Sequence, residues 1–226
     1  MSDTSNFVAD PLTFMKNNIV QQTASSIIGT VGDFSLTSNG PTGTKPDGKG
    51  CNVYSITKAG KSGESFKSYW CPYSDDHVHS VTLGSESNLM LTAKMDGCSF
   101  GIGIPASDGS VMVAHSNFST SEVLDKIQSE MMESAFSTDQ DSIAKMKFLE
   151  AKKSSIRQKG QHSLLESGGG VGTLSSELSP ALYRTLRVTT FGIRDKLGKW
   201  SFYFQGYTQN GPNLEMFGVF PFPKKP

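Results

Sequence analysis

The apolar positions of this chain change their spacing several times, and each change marks an element. Near the amino terminus Leu12, Met15, Ile19, Thr23 and Ile27 recur at helical intervals. Asp10 is placed to cap, Pro11 sits at the first helical position and Gly29 stops the run, so the spacing predicts a packing helix over 10–28. Residues 33–36 and 52–57 alternate in the manner of strands. Between them, 38–50 is rich in glycine, proline and threonine, carries Lys45 and Lys49, and reads as a solvated hairpin excursion more readily than as a partner-binding loop. An aromatic strand over 66–73 ends at Pro72, with rings that read as core. Another strand covers 78–83. Three further strand runs follow at 89–95, 98–104 and 111–114, broken at Asp96-Gly97 and at the turn Ser107-Asp108-Gly109, the last delivering His115 at its exit.

Beyond His115 the period lengthens again. Ser119 with Glu122 forms a capping-box signature, and Val123, Ile127, Met131 and Ala135 mark one helix face. A second helix over 141–157 buries Ile143, Met146, Leu149 and Ile156. It leaves Lys145, Lys147, Lys152, Lys153 and Arg157 on a face that reads as solvated, though an acidic partner would also fit it. Gly168-Gly169-Gly170-Val171-Gly172 lacks the lysine and hydroxyl residue of a phosphate-binding loop, so it reads as a connection, or as a lid. Residues 174–186 suggest a short helix or turn around Pro180. The final part, 187–222, alternates aromatic and polar residues, with turn signals at 195–198 and 209–212, and predicts three antiparallel strands before an irregular tail. The expectation is one domain over 1–226, of α+β class, a β-sandwich or pair of mixed sheets with flanking helices.

Charge narrows the partners. The 226 residues hold 21 Lys plus Arg against 21 Asp plus Glu, so no global field favours nucleic acid or an anionic membrane. No apolar run approaches the ~20 residues of a membrane span. The amino terminus has no basic segment followed by an apolar one, so no classical signal peptide is expected. The three cysteines, Cys51, Cys71 and Cys98, have no metal-ligand spacing. Cys51 and Cys71 are candidates for pairing under oxidising conditions, with buried free thiols the plainer expectation. His77 and His79 alternate as strand neighbours do, but no third ligand accompanies them, and they read as polar residues at a turn and strand start with no metal.

The run 89–115 holds the chemistry. It sets Thr92, Cys98 and His115 on three consecutive strand-like segments that, if adjacent, gather them at one end of a sheet. A thiol with a pKa of roughly 8.5 becomes a strong nucleophile when an imidazole shares its proton. His115 is the candidate base, Thr92 the group that orients it, and the backbone at Gly97, Cys98 and Ser99 the candidate oxyanion site. A cysteine in an apolar strand also serves as a small core residue, and a histidine at a strand end as a surface side chain. The residues alone leave those readings open.

The segment LTAKMDGCSFGIG followed by VMVAH resembles the cysteine-dependent glutamine deamidases, the family of the cytotoxic necrotizing factor catalytic domain, the chemotaxis-receptor deamidase and, in closest likeness, Burkholderia lethal factor. In that family a Gly-Cys step follows a strand, a threonine lies six positions upstream and a histidine follows on a neighbouring strand; the matching positions are Gly97-Cys98, Thr92 and His115. The likeness extends to Tyr69-Trp70-Cys71-Pro72-Tyr73 and to the aromatic segment 191–207, about half the chain. It implies a deamidase-toxin fold and attack by Cys98 on a glutamine carboxamide of a host protein, giving glutamate and ammonia without cofactor or metal. It also implies a bacterial toxin or virulence effector, held in the bacterial cytoplasm or exported by a non-classical route and acting in the host cytosol; a monomer is expected. Asp96 departs from the Leu-Ser-Gly-Cys of the closest members, and a carboxylate near a thiol raises its pKa unless it points away. Two other readings compete: a cysteine peptidase or acyltransferase, transglutaminase included, using the same dyad, and a non-catalytic β-sandwich binding module in which Cys98 is packing.

Overall fold

Side-chain parity along the strands decides which faces of this protein meet. The structure, a computed structural model, describes residues 1–23, 31–74, 77–95, 99–117, 151–152 and 187–221. The described chain is mostly β-sheet with two short helices. In order these are α1 (Asp3–Ala9), α2 (Pro11–Asn17), β1 (Ile19–Gln22), β2 (Val31–Ser38), β3 (Gly43–Thr44), β4 (Gly50–Cys51), β5 (Val53–Lys58), β6 (Phe66–Cys71) and β7 (His77–Leu83). There follow β8 (Leu89–Thr92), β9 (Ser99–Ile102), β10 (Val111–Asn117), β11 (Ala151–Lys152), β12 (Arg187–Arg194), β13 (Trp200–Asn210) and β14 (Asn213–Pro221).

A ten-stranded sheet runs β1-β5-β2-β6-β8-β12-β13-β14-β3-β4, and a four-stranded sheet runs β11-β9-β10-β7. The large sheet curls until its ends approach. A Cβ at Gly43 of β3 would stand 2.7 Å from Cys51 Sγ on the paired strand β4 and 3.1 Å from Ile19 Cδ1 on β1, so glycine keeps this edge of the sheet closely packed. Cross-links complete the near-barrel: Gln205 Oε1 on β13 accepts from the Val20 amide, and Thr189 Oγ1 on β12 donates to the Val20 carbonyl.

Alternate residues of β6 and β8 face opposite ways. Tyr69, Cys71 and Met90 join Val81, Leu83, Phe100, Ile102, Val111 and Val113 in a core shared by the two sheets. Phe66, Trp70, Leu89 and Leu91 join Phe7, Phe14, Met15 and Phe34 in a second core under the helices.

Several expectations need correction. The helix predicted over 10–28 does begin with Asp10 accepting from the Thr13 amide and Pro11 in the first turn, but it ends at Asn17. The β-branched Ile19 and Val20 pair in parallel with β5, sheet pairing overriding an apolar spacing that suits either structure; 24–28 lie outside the described residues. Within 38–50, Gly43–Thr44 and Gly50–Cys51 are strands, so that stretch belongs partly to the sheet. In the helix predicted over 141–157, Ala151–Lys152 instead pairs with Phe100 and Ser99, giving the backbone edge of β9 a partner. The helix begun by Ser119, the rest of 141–157, the glycine run 168–172 and 174–186 lie outside the described residues. Among the described residues, no helix is long and apolar enough to cross a membrane.

Candidate functional site

Residues Leu89 and Leu91 turn toward the helices, so Met90 and Thr92 turn toward the small sheet. On β10, Val111 and Val113 turn toward the large sheet, and His115 follows them by parity. Thr92 and His115 therefore meet across the space between two sheets. Their strands are not neighbours in one sheet, as the sequence suggested, and His115 lies inside β10 rather than at its exit. Both are sealed from solvent, Thr92 at 0% and His115 at 1% exposure.

Thr92 Oγ1 stands 2.6 Å from His115 Nδ1 and 2.9 Å from the Cys71 carbonyl oxygen. A hydroxyl has one proton, and a carbonyl can only accept. Thr92 thus donates to Cys71 and accepts from His115, which fixes the proton on Nδ1 and leaves a lone pair on Nε2. Nε2 is buried and without a hydrogen-bond partner among the described residues. Burial, aided by the charge of His79, lowers the imidazole pKa from 6.5 to about 3, so the ring is neutral near pH 7.

Three neighbours escaped the sequence reading as parts of this site. His79 on β7 is directly opposite His115 across the strand pair and shares its inward parity with Val81 and Leu83. Its Nε2 stands 2.6 Å from Ser74 Oγ, and its ring stacks on His77 at 5.9 Å between centroids. The two histidines share one face of β7, which the spacing of two had hinted at, with His77 exposed at the start of the strand and His79 half-buried. Tyr73 packs its ring 5.1 Å from that of His115. Gln22 is the third. Strands β8 and β12 pair through Leu91 and Phe191, and the next pair in register is Thr92 with Thr190. There the Gln22 amide steps between them, Oε1 accepting from the Thr92 amide at 3.2 Å and Nε2 donating to the Thr190 carbonyl at 3.1 Å. A buried side chain thus stands in for the missing rung of the ladder.

Of the other candidates, Cys98 and Gly97 lie outside the described residues, as does Asp96. Ser99 opens β9 between Ser116 of β10 and Lys152 of β11. The two described cysteines are free and buried, and they sit in different clusters, so they do not pair with each other. Cys71 lies beside the Thr92–His115 pair, but its Sγ donates to the His79 carbonyl and burial pushes its thiol pKa far up. A thiol held protonated and shielded in this way is packing, not a nucleophile. Among the described residues, no group of three His, Cys, Asp or Glu could hold a metal ion. The arrangement supplies a dry, oriented imidazole with one nitrogen free to take a proton.

No protein-family model matches this chain, and no curated protein matches it.

Proposed function

We propose that this chain is a cysteine-dependent protein-glutamine deamidase, with Cys98 as nucleophile, His115 as base and acid, and Thr92 as the residue that positions His115. The observation that carries the reading is the Thr92–His115 hydrogen bond. Because Thr92 gives its only proton to Cys71, the imidazole presents an unprotonated Nε2, the form a thiol needs beside it. Chain connectivity supports the partner: Ser99, which follows Cys98, pairs in register with Ser116, which follows His115. An imidazole with a pKa near 3 is a weak base alone. A thiolate alongside it stabilises the imidazolium and raises that pKa, so proton transfer and ion pairing proceed together.

In the proposed cycle the thiolate attacks the carboxamide carbon, and the oxyanion is met by backbone amides at Gly97, Cys98 and Ser99. His115 gives its proton to the departing ammonia, leaving a thioester. Water then surrenders a proton to His115 as its oxygen bonds to the thioester carbon, and the carbon–sulfur bond breaks to release glutamate and return the Cys98 thiolate beside the imidazolium. We read the core shared by the two sheets as the centre of a β-sandwich of the deamidase-toxin kind, and the role that goes with this reading is that of a bacterial effector or toxin modifying a host protein.

The test is mass spectrometry of host-cell lysate treated with the wild type or with Cys98→Ser. A glutamine-to-glutamate change adds about one dalton without shortening the substrate, whereas a peptidase cuts it. Identical lysates from the two proteins would refute the proposal.

A further inference from the structure

At the end of the large sheet away from His115, α1 and the start of α2 roof a groove of about 880 Å³. Phe66 and Leu89 at the starts of β6 and β8 line it, together with Ile193 near the end of β12. It is separated from Cys71 by the length of β6, roughly 16 Å at ~3.3 Å per residue.

Its charges are uneven in availability. Lys67, Arg194 and Lys196 line it together with Glu64 and Asp195, three cations against two carboxylates. Glu64 Oε1 already accepts from the hydroxyls of Ser2 and Ser5, and Asp195 Oδ1 from the amides of Leu197 and Lys199. The cations have no such use: among the described residues, none of the three makes an ion pair. Arg194 Nε is buried without a partner among those residues. The guanidinium lies over Gly198, where a Cβ would come within 2.9 Å of its terminal nitrogen, so the β12–β13 turn is shaped to let the fork lie there. Apolar surface flanks these charges: Val8 in the wall is 50% exposed, and Leu197 at the tip of the same turn is 94% exposed.

We infer that this groove docks an extended segment of a protein partner whose carboxylates meet Arg194, Lys67 and Lys196 and whose apolar side chains cover Val8 and the floor over Phe66 and Ile193. Carboxylates match the guanidinium fork, and apolar side chains match surface otherwise left wet. Such a site binds away from the chemistry at His115 and does not depend on it.

The test is an NMR titration of the full-length ¹⁵N-labelled chain with the peptide acetyl-Glu-Leu-Asp-Leu-Glu-amide. Its amide counterpart (Gln for Glu, Asn for Asp) and a lysine version serve as controls. Saturable shifts at Lys67, Leu89, Ile193 and Arg194 are expected, weakened about tenfold in Lys67→Glu/Lys196→Glu and reduced by added salt. Both lysines are exposed, so that variant keeps its fold, which an unchanged spectrum elsewhere verifies. Arg194→Lys, which keeps the charge but loses the fork, is expected between the two. Absence of saturation, equal binding of the lysine peptide, or full affinity in the double variant overturns the inference. So do shifts at these residues that depend on protein concentration without peptide, which would assign the groove to a second copy.

Discussion

Thr92 and His115 come from different sheets, yet their side chains meet at 2.6 Å, and Thr92 holds the Cys71 carbonyl with its only proton. Replacing that hydroxyl by a methyl group keeps the shape and removes both bonds. Thr92→Val leaves Nδ1–H and a buried carbonyl without partners, so it is expected to lower unfolding free energy by about 2–4 kcal/mol. Urea denaturation reads this directly. The imidazole ¹⁵N spectrum of the wild type is expected to show one protonated nitrogen, Nδ1, and in Thr92→Val a mixture of tautomers. A wild-type ring protonated at Nε2 would contradict the assignment.

Acid stability follows from the same histidine. Its pKa falls from 6.5 to about 3 on folding because burial, and then His79, oppose the charge. The unfolded chain therefore binds the extra proton between those values. His115 leaves stability undiminished above pH 6.5 and erodes it as pH falls toward 3, with a slope of up to about 1.4 kcal/mol per pH unit. His115→Gln removes this titration, and its stability curve is expected to be flatter over that window. Equal slopes for the two proteins would mean that His115 already carries its proton when folded.

Cysteine reactivity separates the catalytic reading from the packing one. Cys71 is fully enclosed with its thiol pushed far up, and burial raises Cys51 as well. Peptide mapping after brief iodoacetamide treatment of native protein below pH 7 is expected to find label on Cys98 and essentially none on Cys71. His115→Gln is expected to slow the labelling of Cys98 at least tenfold by removing the proton acceptor. If Cys98 resists reagent as Cys71 does, the binding-module reading gains the ground the deamidase loses.

What the sequence disclosed, and what it hid, follows the range of the interactions. Alternation along 187–194, 200–210 and 213–221 is a local property, and it announces β12, β13 and β14 because each strand must show one face to the core. The pairing of threonine with histidine was accessible from residue type. Their arrival from two sheets was not, since alternation says which residues share a face but not which sheet a strand joins. The strand at Ile19–Gln22 was missed because four residues beside a helix fit either period, and the choice rests on β5, far along the chain. His79 was visible as half of a pair with His77. Its place opposite His115 is a matter of register, which no local pattern records.

Gln22 is the residue whose role is furthest from its sequence, and its prediction joins fold to site. Its amide bridges Thr92 and Thr190 where the β8–β12 ladder stops, one end accepting and the other donating. Gln22→Leu fills the space but strands a buried amide and a buried carbonyl, for an expected loss of about 2–4 kcal/mol. Gln22→Glu retains an acceptor for the Thr92 amide but, as a carboxylate, sets negative charge against the Thr190 carbonyl; protonation restores the donor. Its deficit relative to wild type is therefore expected to shrink as pH falls, the opposite trend to that imposed by His115. Since Gln22 fixes the backbone from which the Thr92 hydroxyl extends, Gln22→Leu and Thr92→Val are expected to be non-additive, with a coupling of about 0.5–3 kcal/mol in a double-mutant cycle. Strict additivity would make Gln22 a brace of the near-barrel with no hold on the imidazole.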